Sequence, residues 1–342
     1  MVDTMALLRA LLRSARAKRT ASRPAGPPAD DEVLLDAPDE RLAPALVAAG
    51  RGEYEPAAKL LATTREAAEW EHRDRYLLRL AAFARSRPEW VGQWRAAAPD
   101  DPDVLLLLAQ LAVDRGWASP ARADLLAEAL PLITAAAGAD PRDPVPWRVA
   151  LDHACGTDAG HAEFERLWAE AVRRSPHHYG CHMAALRHLC ATASASYGEC
   201  FDFAESAAQD APAYALVQAL PVHAAYTCLA RGTEVAAKRL DLAADRGLAL
   251  SARFPAGDPW PAEVRNLLAY VLVSLGRRQD ALGQLRLIGP YVTSFPWDLT
   301  SDDPLGHFLR LYEDLAAPGT GLIPSPRGPR NEHGGHAAAR DH

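Results

Sequence analysis

Residues 177–190 hold the best set of side chains for chemistry, a candidate metal-binding cluster: His177, His178, Cys181, His182, His188 and Cys190. On a helix, His178 and His182 lie one turn apart and Cys181 follows His178 by three, so these three share a face suited to zinc or another soft-ligand metal. A structural reading competes with this one. Ser175-Pro176 marks a helix start, which puts His177 and His178 in its first exposed turn, and cysteine is commonly an inert core residue. The closed CxxC-type spacing of a zinc site is absent, so the sequence leads us to expect no bound metal and no cofactor. His178, Cys181 and His182 are the candidate ligands if a metal is held.

Other chemistries lack their residues. A phosphate-cradling loop needs lysine after glycine and before Ser or Thr, whereas Lys18, Lys59 and Lys238 each follow alanine and none precedes a hydroxyl residue. GxSxG, HExxH and GxGxxG are missing, and His161-Ala162-Glu163 lacks the PCxxC half that would complete a zinc-deaminase signature. The eight tryptophans are spaced for packing: Trp90 with Trp94, and Trp147 with Trp168, fall where helices meet. No catalytic residue is assigned, and the chain is expected not to be an enzyme.

Composition narrows the partners. The 342 residues are 49% hydrophobic and 24% charged, with a mean hydropathy of −0.16, which fits a folded water-soluble chain. A net charge of −7 opposes general binding to nucleic acid, which requires a basic face. Five cysteines without a CxxC pair suit a reducing cytoplasm. The charge-free run 211–230 contains Pro212, Gln218, Pro221 and His223 among many alanines, so it is expected to be a buried helix pair and not a transmembrane segment.

These groups must be positioned by helices. Residues 1–19 form an amphipathic pattern, with Leu8, Leu11, Leu12 and Ala15 on one face and Arg9, Arg13 and Arg16 on another. Residues 1–23 carry +5, leaving −12 for the remainder. This helix could rest on an anionic membrane surface, dock a partner or cap the acidic body. A Pro/Gly linker completes the segment 1–31, the body spans 32–317, and 318–342 has no apolar period and is expected to be disordered. Within the body, Asp101-Pro102, Ser119-Pro120, Asp143-Pro144, Ser175-Pro176 and Asp303-Pro304 each mark a helix start, because the side chain accepts from a first-turn N–H and proline has none to leave unpaired. Between these marks run helical patterns such as Leu105, Leu108, Ala109, Ala112 and Phe164, Leu167, Trp168, Ala171. No segment alternates like a strand.

The order Leu268-Ala269, Leu272, Gly276, Ala281, Leu285, Ile288 resembles the tetratricopeptide repeat, a helical hairpin with a period of ~34 residues. Weaker matches run Ala225, Cys228, Gly232, Ala237, Ala244 and Leu108-Ala109, Ala112, Gly116, Ala121, Leu125, while Gly52, Ala57 and Leu61 look like the second half of a unit. Turn glycines at 116, 198, 232 and 276 are unevenly spaced, so the repeats are degenerate. Trp168-Ala169-Glu170, Phe201-Asp202-Phe203-Ala204 and Phe295-Pro296-Trp297 are further similar to tetratricopeptide-like proteins of high-GC actinobacteria. Neither resemblance supplies an activity. Together they imply an all-α superhelix, a solenoid of degenerate tetratricopeptide-like hairpins whose groove binds a protein or peptide. By helical phase the groove would be lined by Gln110, Arg148, Asp152, Asn266 and Tyr270, with Arg148 and Asp152 placed to pair with each other.

Overall fold

A computed structural model describes residues 33–191 and 197–317, so the basic segment 1–31 and the tail 318–342 lie outside the described residues. The described chain is all-helical apart from two short strands, and it divides into two units. The first is Ala37–Ala224; the second combines 225–317 with 33–36. No described helix is long and apolar enough to cross a membrane.

The first unit runs α1 (Ala43–Ala49), α2 (Glu55–Glu66), α3 (Trp70–Ala84), α4 (Glu89–Ala97), α5 (Pro102–Trp117), α6 (Arg122–Ala139), α7 (Val145–Gly156), α8 (His161–Arg174), α9 (Tyr179–Ala191) and α10 (Tyr197–Asp210), then a 3-10 turn (Leu216–Ala219) leading into α11 (Leu220–Arg231). Neighbours pair as hairpins, with α1 on α2, α5 on α6 and α7 on α8. The odd-numbered helices also pack on one another: α3 meets α5, α7 and α9, α5 meets α7, and α7 meets α9. This crowding explains why α5 buries Val104, Leu106, Leu107 and Val113 while Leu105 and Leu108, on the expected face, are only half-buried. A helix covered on most sides has no single apolar stripe to read. Trp90 and Trp94 are fully enclosed in α4, stacked at 6.3 Å, with Tyr54 stacked on Trp94 at 6.0 Å. Trp147 instead lies beneath the guanidinium of Arg174 at 4.3 Å, and Trp168 meets His182 and Phe203 edge-on.

Of the expected caps, Asp101 accepts from Asp103 N, while Asp143 and Ser119 cap the turn just before their helices, accepting from Val145 N and Ala121 N. Gly116 is not a turn residue. It lies inside α5, where a Cβ would stand 2.6 Å from the Leu126 side chain, so its smallness lets α6 approach. Gly198 likewise falls within α10. In α6 the buried positions are Leu126, Ala129, Ile133 and Ala136, because the helix begins at Arg122, after Ala121.

The second unit contains the end of α11, α12 (Ala237–Ser251), α13 (Ala262–Ser274), α14 (Arg278–Ile288), a 3-10 turn (Trp297–Leu299) and α15 (Pro304–Ala316). Leu268, Ala269, Leu272, Ala281, Leu285 and Ile288 are all buried, chiefly between α13 and α14. Gly232 and Gly276 end their helices with φ of +64° and +73°, the left-handed conformation that glycine adopts without strain. Asp303 caps α15 by accepting from Gly306 N. The two strands, β1 (Leu34–Leu35) and β2 (Tyr291–Val292), pair in parallel, and at two residues each they are too short to show alternation in sequence.

Candidate functional site

Among the described residues, buried charge gathers around the first turn of α3, Trp70 to Asp74. Arg73 is 1% exposed, and its guanidinium serves three elements: Nε donates to Asp143 Oδ2 at 2.6 Å, Nη2 lies 2.6 Å from Asp103 Oδ1, and Nη1 donates to Leu61 O at 2.9 Å. Asp103 and Asp143 stand at the starts of α5 and α7, where a carboxylate also complements the helix dipole. Burial works against the Arg73 cation, but Asp143 and Asp103 more than offset it and hold its pKa above the ordinary value.

The N-terminus of α9 docks on the same turn. Glu71 Oε1 accepts from Tyr179 N at 2.8 Å, supplying from another helix the acceptor that an N-terminal N–H needs. His178 Nε2 lies 3.4 Å from Trp70 O and 4.0 Å from Asp74 Oδ2, while its Nδ1 accepts from Cys181 N at 3.3 Å. Burial disfavours the imidazolium, yet the facing Cys181, Glu71 and Asp74 lift the pKa up to about 10, and charging the ring costs it the bond from Cys181 N. Burial also pushes the Glu71 carboxyl above the usual range.

From Asp74 a seam of polar groups runs across the odd helices. Arg148 on α7 donates through Nε to Asp74 Oδ1 at 2.8 Å, and through Nη1 to Gln110 Oε1 on α5 and to Asp152 Oδ2 at 3.0 Å. Gln110 Nε2 passes to Asp114 Oδ1 at 2.7 Å, and Asp152 Oδ1 accepts from Arg187 Nη2 on α9. Burial raises the Asp114 carboxyl, whereas at Asp152 the two arginines Arg187 and Arg148 overcome burial and lower it. The seam is enclosed at Asp74 and Arg148 and reaches solvent at Arg187, whose side chain is 53% exposed.

Three of the five residues expected to line a groove, Gln110, Arg148 and Asp152, are therefore joined directly, with Gln110 and Arg148 buried. Asn266 and Tyr270 belong to the second unit. Asn266 is wholly buried, accepting from Trp297 Nε1 at 2.8 Å and donating to Ala262 O and Tyr291 O at 2.8 and 3.1 Å; half-buried Tyr270 packs edge-on against Tyr226 and Trp297. Of the three metal candidates, His178 and Cys181 face each other, while His182 turns to other neighbours. His178 faces Asp74, Cys181 Sγ approaches Pro144 O, and His182 donates to His178 O while its ring packs against Trp168 and Phe203. Among the described residues no group of three or more His, Cys, Asp or Glu could hold a metal ion.

Glu71, Arg73, Asp74 and Asp103 escaped the sequence reading, and Asp143 entered it only as a helix cap. Nothing local in Trp-Glu-His-Arg-Asp-Arg separates a buried charge from a solvated one, and an acid at a helix start such as Asp143 is explained by capping alone. A usable signal was a single polar residue inside an apolar run, as at Gln110 in Leu-Leu-Ala-Gln-Leu-Ala and Arg148 in Pro-Trp-Arg-Val-Ala. Chemically, the cluster binds helices together: its acids meet arginines or backbone N–H groups. No protein-family model matches this chain, and no curated protein matches it either.

Proposed function

We propose that this chain is a non-enzymatic helical scaffold of degenerate tetratricopeptide-like hairpins that binds a protein or peptide. The observation that carries the reading is the polar seam. Asp74 and Arg148 are 74 residues apart and Gln110 and Arg148 are 38 apart, yet the three side chains meet. Corresponding places on successive odd helices thus recur at about half of 74, close to the ~34-residue repeat. The buried acids and bases are spent on joining helices, as in a framework whose task is to present a surface. A partner would engage the seam where it reaches solvent, at Asp152 and Arg187.

The test is affinity capture by the full-length chain from its native host, run beside the Asp152→Ala/Arg187→Ala variant. A polypeptide retained at near-equal amount by the parent and lost from the folded variant supports the proposal. Retention of no polypeptide, or retention unchanged by the variant, overturns the binding surface.

A further inference from the structure

Cys190 lies in the last turn of α9 and Cys200 in the first turn of α10, two helices that pack on each other. Their sulfur atoms are 2.9 Å apart, closer than two sulfurs settle by packing alone, and they are not joined in a disulfide. Cys190 is half-buried and Cys200 is 1% exposed, so a small oxidant reaches Cys190 first and Cys200 waits behind it. The neighbouring thiols are occupied differently. Cys155 Sγ donates to Ala184 O and Cys181 Sγ to Pro144 O, and burial pushes Cys155 up to about 12 and Cys181 upward as well, which keeps both protonated and unreactive at neutral pH.

We propose that Cys190 and Cys200 are a reversible dithiol site whose substrate is a hydroperoxide. The Cys190 thiolate attacks one oxygen of hydrogen peroxide; an S–O bond forms, the O–O bond breaks, and the other oxygen leaves as hydroxide that takes up a proton to become water, giving a sulfenic acid. The Cys200 sulfur then attacks the Cys190 sulfur, forming the S–S bond and expelling the second oxygen as water. In balance, two thiols lose two protons and two electrons, and one peroxide becomes two waters. A small-molecule thiol reverses the step by exchange. The bond would fasten the end of α9, which carries Arg187 of the seam, to the start of α10, and closing a loop of this length predicts a melting temperature higher by roughly 5 °C.

The experiment treats the reduced full-length protein with one equivalent of hydrogen peroxide and counts thiols by alkylation and mass spectrometry. The expected result is a fall from five thiols to three, loss of two hydrogens in mass, one cross-linked peptide joining 190 to 200, and full reversal by dithiothreitol. Cys190→Ser should keep all four of its thiols under the same treatment, and Cys200→Ser should accumulate a sulfenic acid at Cys190 that dimedone traps. If buried Cys200→Ser fails to fold, the half-buried Cys190→Ser decides alone. Five thiols persisting in the parent protein, a cross-link to another cysteine, or oxidation of Cys190 beyond sulfenic acid with Cys200 untouched would overturn the proposal.

Discussion

Gly180 and Asp74 occupy nearly the same space: a Cβ built on Gly180 would stand 2.1 Å from Asp74 Oδ2 and 3.3 Å from Arg148 Cγ. The first turn of α9 can therefore lie against the α3 carboxylate only because position 180 has no side chain. Asp74 has a short side chain and is fixed by Arg148, so it cannot swing aside cheaply. Gly180→Ala should lower stability by about 1–3 kcal/mol through overpacking, read as a shift of the urea midpoint. The same substitution in an Asp74→Ala background should cost clearly less. Equal costs in both backgrounds would show that the contact is not what excludes a side chain.

Asp74 and Arg148 form the second testable pair. Removing one member leaves the other buried and uncompensated, so Arg148→Met or Asp74→Leu alone is expected to cost about 3–5 kcal/mol. Replacing both removes two desolvation penalties together, and the double variant should be less destabilised than the sum of the singles. Strict additivity in denaturant titrations would count against direct coupling. Gln110 and Asp152 also bond Arg148, so recovery in the double variant should be partial.

The helical character of the chain was legible because its signals are local. Asp101 and Asp303 cap as their sequence context suggests, and Leu268, Leu272 and Leu285 keep the phase of an amphipathic hairpin. The site was legible only in fragments. Gln110, Arg148 and Asp152 could be singled out by helical phase, but that phase says which face a residue is on and not what covers the face. Here α3 crosses to α7 and α9, so a face expected to line a groove is enclosed at Gln110 and Arg148. Arg73 shows the same limit. Nothing within residues 70–76 reveals that its partners, Asp103 and Asp143, start two later helices.

Three buried histidines contribute to the pH response with opposite signs. His223, 4% exposed with Tyr179 Oη 2.6 Å from its Nε2, is pushed by burial and Arg187 down to about 3, and burial takes His182 down to about 4. Both are neutral in the fold and take up a proton near pH 6.5 when unfolded. Their contribution is complete above about 6.5 and is lost as pH falls through 4 toward 3. His178 acts in the opposite sense: with a folded pKa of about 10, it adds stability that is complete below about 6.5 and is lost as pH rises through 10. Urea midpoints from pH 4 to 9 should pass through a maximum. His223→Gln should flatten the acid limb and His178→Gln the alkaline limb. An acid limb unchanged by His223→Gln would reject this assignment.

Asn266 allows a structural role and a binding role to be separated. Its amide accepts from Trp297 Nε1 and donates to Tyr291 O, which ties α13 to the segment that carries β2 and the following 3-10 turn. Asn266→Leu keeps much of the volume but strands a buried indole N–H and a carbonyl, each worth about 1–3 kcal/mol when left unsatisfied. Asn266→Asp preserves the acceptor for Trp297 while losing the donor to Tyr291 O, and it buries a new acid, so it too should destabilise the chain. A residue whose work is to hold a peptide backbone would behave otherwise, leaving thermal unfolding nearly unmoved while abolishing capture of the partner. The buried geometry leads us to expect a clear fall in melting temperature for both variants. Melting curves that superimpose on the parent would return Asn266 to the binding surface, against its place between Trp297 and Tyr291.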